Sequence, residues 1–294
     1  MHQPVSGVLA IDKPAGVSSR RVVDAVAGAL GTKTVGHAGT LDPLAVGVVV
    51  VCVGHATKLV DFVHELPKHY RGSFLLGRSS PSDDLETEVV EESAPVRPPR
   101  EALDAALPHF RGSILQRPCD YSAVHVDGKR AYRLARKGRT MEIAAKPVRI
   151  DRLEVTAYDW PRLGLDIVCS SGTFVRAIGR DLAAALGTRG VMESLVRTAV
   201  GPFTQAAAFP FDAVTAGTVN AALLPAAAAV PHLPRHVFAA DAELAHAVSG
   251  GLVDLGPAGA PAIAAMDAAG DLVGILRRHD SGRWRLRPNF RGAG

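Results

Sequence analysis

The sequence predicts an α+β fold. Three observations point there. Strand-like runs and capped amphipathic helices are interleaved without a regular βαβ alternation. At about 150 residues per domain, 294 residues allow one large unit and one small one. The C-terminal stretch, from about residue 236, reads mainly as short strands separated by tight turns.

The elements follow in order. "GVLAIDK" (7–13) is a short strand that ends at a Pro-Gly turn. "SSRRVVDAVAGALG" (18–31) supplies a serine N-cap, apolar residues at helical spacing and a stopping glycine. "GHAGTLDPLAVG" (36–47) is a glycine-rich loop, and Pro43 excludes Asp42 from the helical region. "VGVVVVCVG" (46–54) is β-branched and predicts a buried strand. "HATKLVDFVHE" (55–65) returns to helix and "KHYRGSFLLG" (68–77) to strand. Residues 81–99 are rich in Pro, Ser and acids and predict a loop, followed by a helix in "REALDAALPHF". "YRLARKG" predicts a basic helix ending at Gly138. "PVRIDRLEVTAYDW" and "LGLDIVCSSG" alternate as paired strands, and "TFVRAIGRDLAAALG" predicts a helix capped by Thr173 that stops at Gly187. The Ala- and Pro-rich stretch 217–235 reads as a boundary, placing one domain at 1–232 and a second at 236–294. The second holds one short helix, "AELAHAVSGG", and then strands.

Composition narrows the function. No apolar span of 18 residues predicts a membrane helix, the start lacks signal-peptide features, and three scattered cysteines argue against disulfides or a structural zinc. A cytoplasmic location, no metal site and no membrane partner are expected. The net charge of +4 is unevenly spread. Residues 128–152 carry a local +7 and residues 277–291 a local +5, leaving −8 for the rest. Two basic segments, set apart from the acidic "SDDLETEVVEE" (82–92), suggest a polyanionic partner. In "RWRLR" (283–287), strand alternation puts three arginines on one face and Trp284 and Leu286 on the other.

No metal-ligand spacing, phosphate-binding loop or nucleophile elbow is present. Asp42 in its loop and Arg176 at a helix start remain. By itself, Asp42 would be a turn former. The whole of "GHAGTLDPLAVGVVVVCVGHATK" resembles the catalytic motif of the TruB family of tRNA pseudouridine synthases. "GVLAIDKPAGVSS", "KHYRGSFLLG", "PCDYSAVHVDGKRAYRLARKG" and "SSGTFVRAIGRDLAAALG" resemble its other motifs, in the same order, over residues 5–200. The C-terminal unit resembles a reduced PUA-type RNA-binding module by position, size and strand pattern.

The resemblance implies a mixed-sheet catalytic domain with a basic thumb inserted at about 125–150, plus the small β-rich module. It implies isomerisation of uridine to pseudouridine at position 55 of the tRNA T-arm loop. Neither a cofactor, a guide RNA nor an accessory protein is expected, and a monomer is the default. Asp42 becomes the carboxylate that acts at C1′ and Arg176 its partner, an opposite charge that keeps it ionised. Tyr70 becomes the aromatic against the target base and a candidate base for C5. His37 would fill the space left by the flipped uridine. Lys58 matches a lysine near the active site, and Leu195 in "ESLVR" an apolar residue lining the base pocket. Lys129, Arg130 and Arg133 in the thumb would contact phosphate. Phe174 stands where some members have tyrosine, and His125 where lysine is common. Without the resemblance, Tyr70 and Leu195 would read as core, Lys58 and Arg176 as surface and His37 as a loop histidine. A dispensable-activity RNA binder, a guide-dependent relative and a nucleoside hydrolase are the other functions consistent with parts of this pattern.

Overall fold

A computed structural model describes residues 5–122, 124–126, 128–136, 143–256 and 259–291. The fold is mixed α and β, with a large sheet and a separate C-terminal sheet. In chain order, β1 (Gly7–Lys13) leads to α1 (Ser19–Leu30), β2 (Val35–His37) and β3 (Val46–Val53). A 3-10 turn (Gly54–Leu59) and α2 (Val60–Glu65) precede β4 (Lys68–Leu76). The acidic loop holds the short pair β5 (Arg78–Ser79) and β6 (Val90–Glu91). Then come α3 (Arg100–Ala106), β7 (Gly112–Gln116), the hairpin β8 (His125–Val126) and β9 (Lys129–Arg130), and α4 (Ala131–Ala135). The long hairpin β10 (Lys146–Asp159) and β11 (Arg162–Cys169) leads to α5 (Val175–Ala185) and β12 (Gly190–Val200). Short strands β13 (Phe203–Thr204) and β14 (Phe209–Pro210) and helix α6 (Ala216–Ala222) close the large unit.

The main sheet runs β14-β1-β3-β12-β4-β11-β10-β7, with β2 paired to β3 and β13 to β12. β12 lies parallel to β3 and antiparallel to β4, so it joins the two halves. The apolar run of β3 has a physical cause. Its residues alternate between two cores: Val49, Val51 and Val53 pack with α1 and α5, while Val48, Val50 and Cys52 pack on the other side. A strand covered on both faces needs no polar alternation.

The second core is shared between units. Ala262, Ala264, Met266 and Ile275 of the C-terminal unit join Val48, Val50 and Phe62 in it. That unit comprises β15 (Arg235–Val237), α7 (Asp241–Val248), β16 (Ala262–Met266), β17 (Leu272–Arg278) and β18 (Trp284–Asn289), with its sheet in that strand order. Its own core closes around the fully buried Trp284, with Phe238, Val253 and Leu286. The arrangement is consistent with a PUA-like module. Arg285 and Arg287 are exposed beside buried Trp284 and Leu286, as the alternation predicts.

Several local expectations are met: Ser18 caps α1 through Arg21 N, and Gly31 ends it in the left-handed conformation. Others are corrected. Residues 54–65 divide into a 3-10 turn and a short α-helix. The residue at the N-cap of α5 is Phe174, not Thr173, and no side chain caps that helix end. The basic helix is one turn, Ala131–Ala135, and Gly138 lies outside the described residues. Within the stretch 217–235, Leu224 exchanges two main-chain hydrogen bonds with Val8, and Ala229 and Val230 are in the shared core; this leaves the proposed division at 232–236 unchanged.

Helix α5 approaches the sheet closely where Gly179 faces Phe74 of β4. A Cβ at 179 would lie 2.1 Å from the Phe74 ring. Gly179→Ala is therefore expected to destabilise the fold by about 1–3 kcal/mol, the range for overpacking a filled core. A urea titration of the two proteins measures this; an unchanged midpoint would mean that α5 can shift at no cost.

Candidate active site

Asp42 and Arg176 come together across 134 residues of sequence. Arg176 Nε lies 3.0 Å from Asp42 Oδ2, and Nη2 donates to Oδ1 at 3.2 Å. This two-pronged geometry suits a guanidinium on a carboxylate. The arginine side chain is 6% exposed and that of Asp42 33%, so the carboxylate keeps an open edge. The other Arg176 nitrogens are also engaged. Nη1 donates to Ser82 O at 2.7 Å and meets Asp84 Oδ2 at 3.3 Å, while Nη2 also donates to Tyr121 O at 3.0 Å.

Asp84 therefore shares the arginine from behind, and Asp42 is not the isolated acid that its loop suggests. The two carboxylates differ in access. The Asp84 side chain is 2% exposed, accepting from Ser82 Oγ at 2.5 Å and Glu86 N at 2.9 Å. Only Asp42 faces outward. One turn along α5, Arg180 pairs with Asp83 at 3.0 Å and donates to Arg117 O at 2.8 Å. Asp83 has φ of 60°, which lets consecutive aspartates reach successive turns of the helix.

The backbone around Asp42 is held from both sides. Ser19 Oγ accepts from Leu41 N at 2.8 Å and donates to Leu41 O at 3.1 Å. Pro43 O accepts from Gly16 N at 2.8 Å and from Lys13 Nζ at 3.4 Å. Arg197, on β12, donates to Gly39 O at 3.1 Å, Thr40 O at 3.4 Å and Val48 O at 2.6 Å. Gln116 brackets the start of α5, donating to Phe174 O at 3.1 Å and accepting from Phe174 N at 2.8 Å. The missing hydroxyl at Phe174 is thus not what orients Arg176.

Burial raises the pKa of Asp42 above the ordinary aspartate value, and the charges of Asp84 and Glu86 add to this; Arg176 opposes both. Burial likewise raises Tyr70 and holds its phenol neutral, against the pull of Arg197. His37 is lowered, first by burial and then by Arg197, His64 and Arg20, so its ring is neutral. Its Nδ1 has no hydrogen-bond partner among the described residues.

Tyr70 and Leu195 lie in the same core cluster as Leu41, beside the Asp42 loop. Arg197 stands opposite Tyr70 in the β12–β4 register. His37 ends β2, opposite Val51 of β3. Lys58 is exposed on the 3-10 turn that follows β3. Asp42 precedes that strand, so its length, about 20 Å or more at 3.3 Å per residue, separates the two. Arg133 is exposed on α4, with Nε donating to Tyr132 Oη at 3.2 Å, and forms no contact with Asp42. The side chains of His125, Lys129 and Arg130 lie outside the described residues. Among the described residues, no group of three His, Cys, Asp or Glu could hold a metal, and no helix is long and apolar enough to cross a membrane.

Comparisons with known proteins agree with this arrangement. A family model described as TruB family pseudouridylate synthase (N terminal domain) matches residues 28–175. A tRNA pseudouridine synthase B of Dinoroseobacter shibae is 48% identical over 71% of this chain and 68% of its own. One of Mycobacterium tuberculosis is 39% identical over 94% of this chain and 93% of its own. Among solved structures, a chain of an H/ACA ribonucleoprotein bound to a substrate RNA containing 2′-deoxyuridine superposes with a TM-score of 0.73 at 20% identity, covering 97% of this chain and 84% of its own. A chain from a Cbf5–Nop10–Gar1 complex gives 0.72 at 21%, covering 97% and 85%. At those identities, the likeness to the solved structures is one of fold.

Two lysines of the site region carry a testable signature. Burial, then the charge of Arg197, lowers Lys13 and Lys68 from 10.5 to about 8. Above pH 8 the unfolded chain still holds protons that the folded chain has released, so these groups make stability rise with pH. Urea titrations are expected to give a larger unfolding free energy at pH 9 than at pH 8, and a smaller increase in Lys68→Met. An equal increase in the variant would show that the proton release comes from elsewhere.

Proposed function

Since the chain belongs to the TruB family of pseudouridylate synthases, we propose that it isomerises uridine to pseudouridine in tRNA, at position 55 of the T-arm loop. It acts on bare tRNA as a monomer in the cytoplasm, without guide RNA, accessory protein or cofactor. The observation that carries this reading is the Asp42–Arg176 pair: one open carboxylate, gripped at two oxygens, on a loop whose main chain is fixed on both sides.

The chemistry explains why one open carboxylate suffices. A glycosidase uses a second acid to protonate its leaving oxygen. Uracil leaves as an anion spread over its carbonyls, and it must be retained rather than replaced by water. Asp42 then stabilises positive charge at C1′ or bonds to it. The uracil turns, C5 joins C1′, C5 loses its proton and N1 gains one, so the product is an isomer. Tyr70 faces the base, Leu195 lines the pocket and His37 takes the space that the flipped nucleotide leaves. Asp84, sealed behind Arg176, fixes the guanidinium and does not meet substrate. The thumb, with Lys129, Arg130 and Arg133, supplies phosphate contacts whose strength falls with salt. Residues 1–232 form the catalytic domain and 236–294 the RNA-binding module.

Tritium release from C5-labelled uridine in an unmodified tRNA transcript tests this. The wild-type protein is expected to release tritium without free uracil. Asp42→Asn is expected to slow release by about 10⁴-fold or more while binding the transcript with nearly unchanged Kd. Release of uracil would mark a hydrolase, and loss of binding in the variant would remove the division between catalysis and affinity. A wild-type protein that binds but releases no tritium would be an RNA-binding protein.

The raised pKa of Asp42 sets the acid limb. The reactive form is the carboxylate, and its proton is held more tightly than in a free aspartate, so activity falls as pH drops through a midpoint above 3.8. A single-turnover pH profile locates this limb; a midpoint at or below 3.8 would mean that Arg176 outweighs burial.

A further inference from the structure

Lys68 and Arg197 are almost completely buried, at 3% and 1% exposure, and both flank Tyr70. Lys68 precedes Tyr70 by two residues on the same inward face of β4, and Arg197 stands opposite Tyr70 on β12. Neither meets a carboxylate within ion-pair distance among the described residues. Lys68 Nζ donates to His64 O at 2.6 Å, Leu66 O at 2.7 Å and Ser171 Oγ at 2.6 Å. Arg197 donates to the main-chain carbonyls of Gly39, Thr40 and Val48 and also interacts with the Tyr70 hydroxyl. Buried ions are ordinarily paired, because desolvating an isolated charge costs several kcal/mol. Here the donors are satisfied but the charge is not neutralised.

The Asp42 side of the site is balanced: Arg176 carries two carboxylates, Asp42 and Asp84, and buried Lys13 donates to Pro43 O beside them. The positive charge of Lys68 and Arg197 around Tyr70 has no carboxylate at ion-pair distance among the described residues. Heterolysis of the C1′–N1 bond separates charge. The electron pair goes to N1 and spreads over O2 and O4, while C1′ becomes positive.

Resting on the proposed isomerisation, we propose that Lys68 and Arg197 stabilise the departing uracil anion as a fixed positive field behind Tyr70. They are not phosphate contacts, since their nitrogens are turned into the protein and committed to carbonyl and hydroxyl oxygens. Preorganised charge in a water-poor site acts most strongly on charge that appears only in the transition state. The field favours the anion while it turns, until C5 bonds to C1′; the C5 proton then leaves and N1 takes one up.

The test varies the leaving group. Single-turnover rates are measured at pH 7 on T-arm transcripts with uridine or 5-fluorouridine at the target position. Fluorine makes the uracil anion more stable, so it needs less help from the protein. Lys68→Met is expected to slow consumption of uridine tenfold or more and that of 5-fluorouridine by no more than threefold, with transcript Kd and its salt dependence unchanged. Lys68→Arg, which keeps the charge, is expected to recover most of the rate on uridine. Lys68→Gln removes the charge but keeps a donor, and is read in the same way if Lys68→Met fails to fold. Equal slowing on both substrates would overturn the proposal and leave Lys68 a scaffold residue. A weakened, more salt-sensitive Kd would overturn it in favour of phosphate binding. A wild-type protein that transforms neither substrate would instead refute the isomerisation itself.

Discussion

The site depends on the immobilisation of five residues of main chain, Gly39 to Pro43. A carboxylate on a glycine-rich loop has no intrinsic reason to stay in place, since loops of this kind lose much conformational entropy on ordering. The chain opposes that entropy with hydrogen bonds from four residues outside the loop: Arg197 on β12, Ser19 in the first turn of α1, Lys13 at the end of β1 and Gly16 in the turn that follows. Each bond is to the peptide backbone, so it restrains position without altering the chemistry of the Asp42 side chain. Arg176 then fixes the carboxylate itself, Asp84 holds Arg176, and Gln116 holds the main chain of Phe174 at the start of its helix.

This construction uses buried cations freely. Lys13, Lys68 and Arg197 are all nearly inaccessible, and their partners are mainly carbonyl oxygens. Carbonyl dipoles satisfy donors but leave net charge in place. Burial, and after it the charge of Arg197, holds both lysines well below the ordinary lysine range. A hydrophobic substitute of equal size would lower the repulsion but release the carbonyls, and with them the loop. Stability and preorganisation therefore pull in different directions at these positions.

The sequence carries much of this fold in readable form. The Val run of β3 announces a central strand, Ser18 and Gly31 delimit α1, and the alternation around Trp284 assigns a face to each residue of β18. Asp42 and Arg176 were legible through the motifs in which they stand. What escaped reading were Lys13, Lys68, Asp84, Gln116 and Arg197. Their partners are largely main-chain atoms or residues on the far side of the sheet, and no spacing rule connects a lysine to a carbonyl. One signal was available. Arg197 has the same strand parity as buried Leu195, and Lys68 the same as Tyr70, so a charged residue falls where the alternation calls for an apolar one. Lys58 is near Asp42 in sequence, with the whole of β3 between them.

The shared core behind β1 and β3 has a consequence for the origin of the C-terminal unit's role. Val8, Val48, Val50 and Cys52 form a continuous apolar strip, and Ala262, Ala264, Met266 and Ile275 are among the residues that cover it. Removing the small unit would expose that strip to water and create an adhesive surface on the back of the catalytic sheet. The unit therefore acts as a lining as much as an appendage. In any graft or shuffling of modules, the side chains that must be carried over are these inward-facing ones, and its arginine-rich outer face is free to change independently of them.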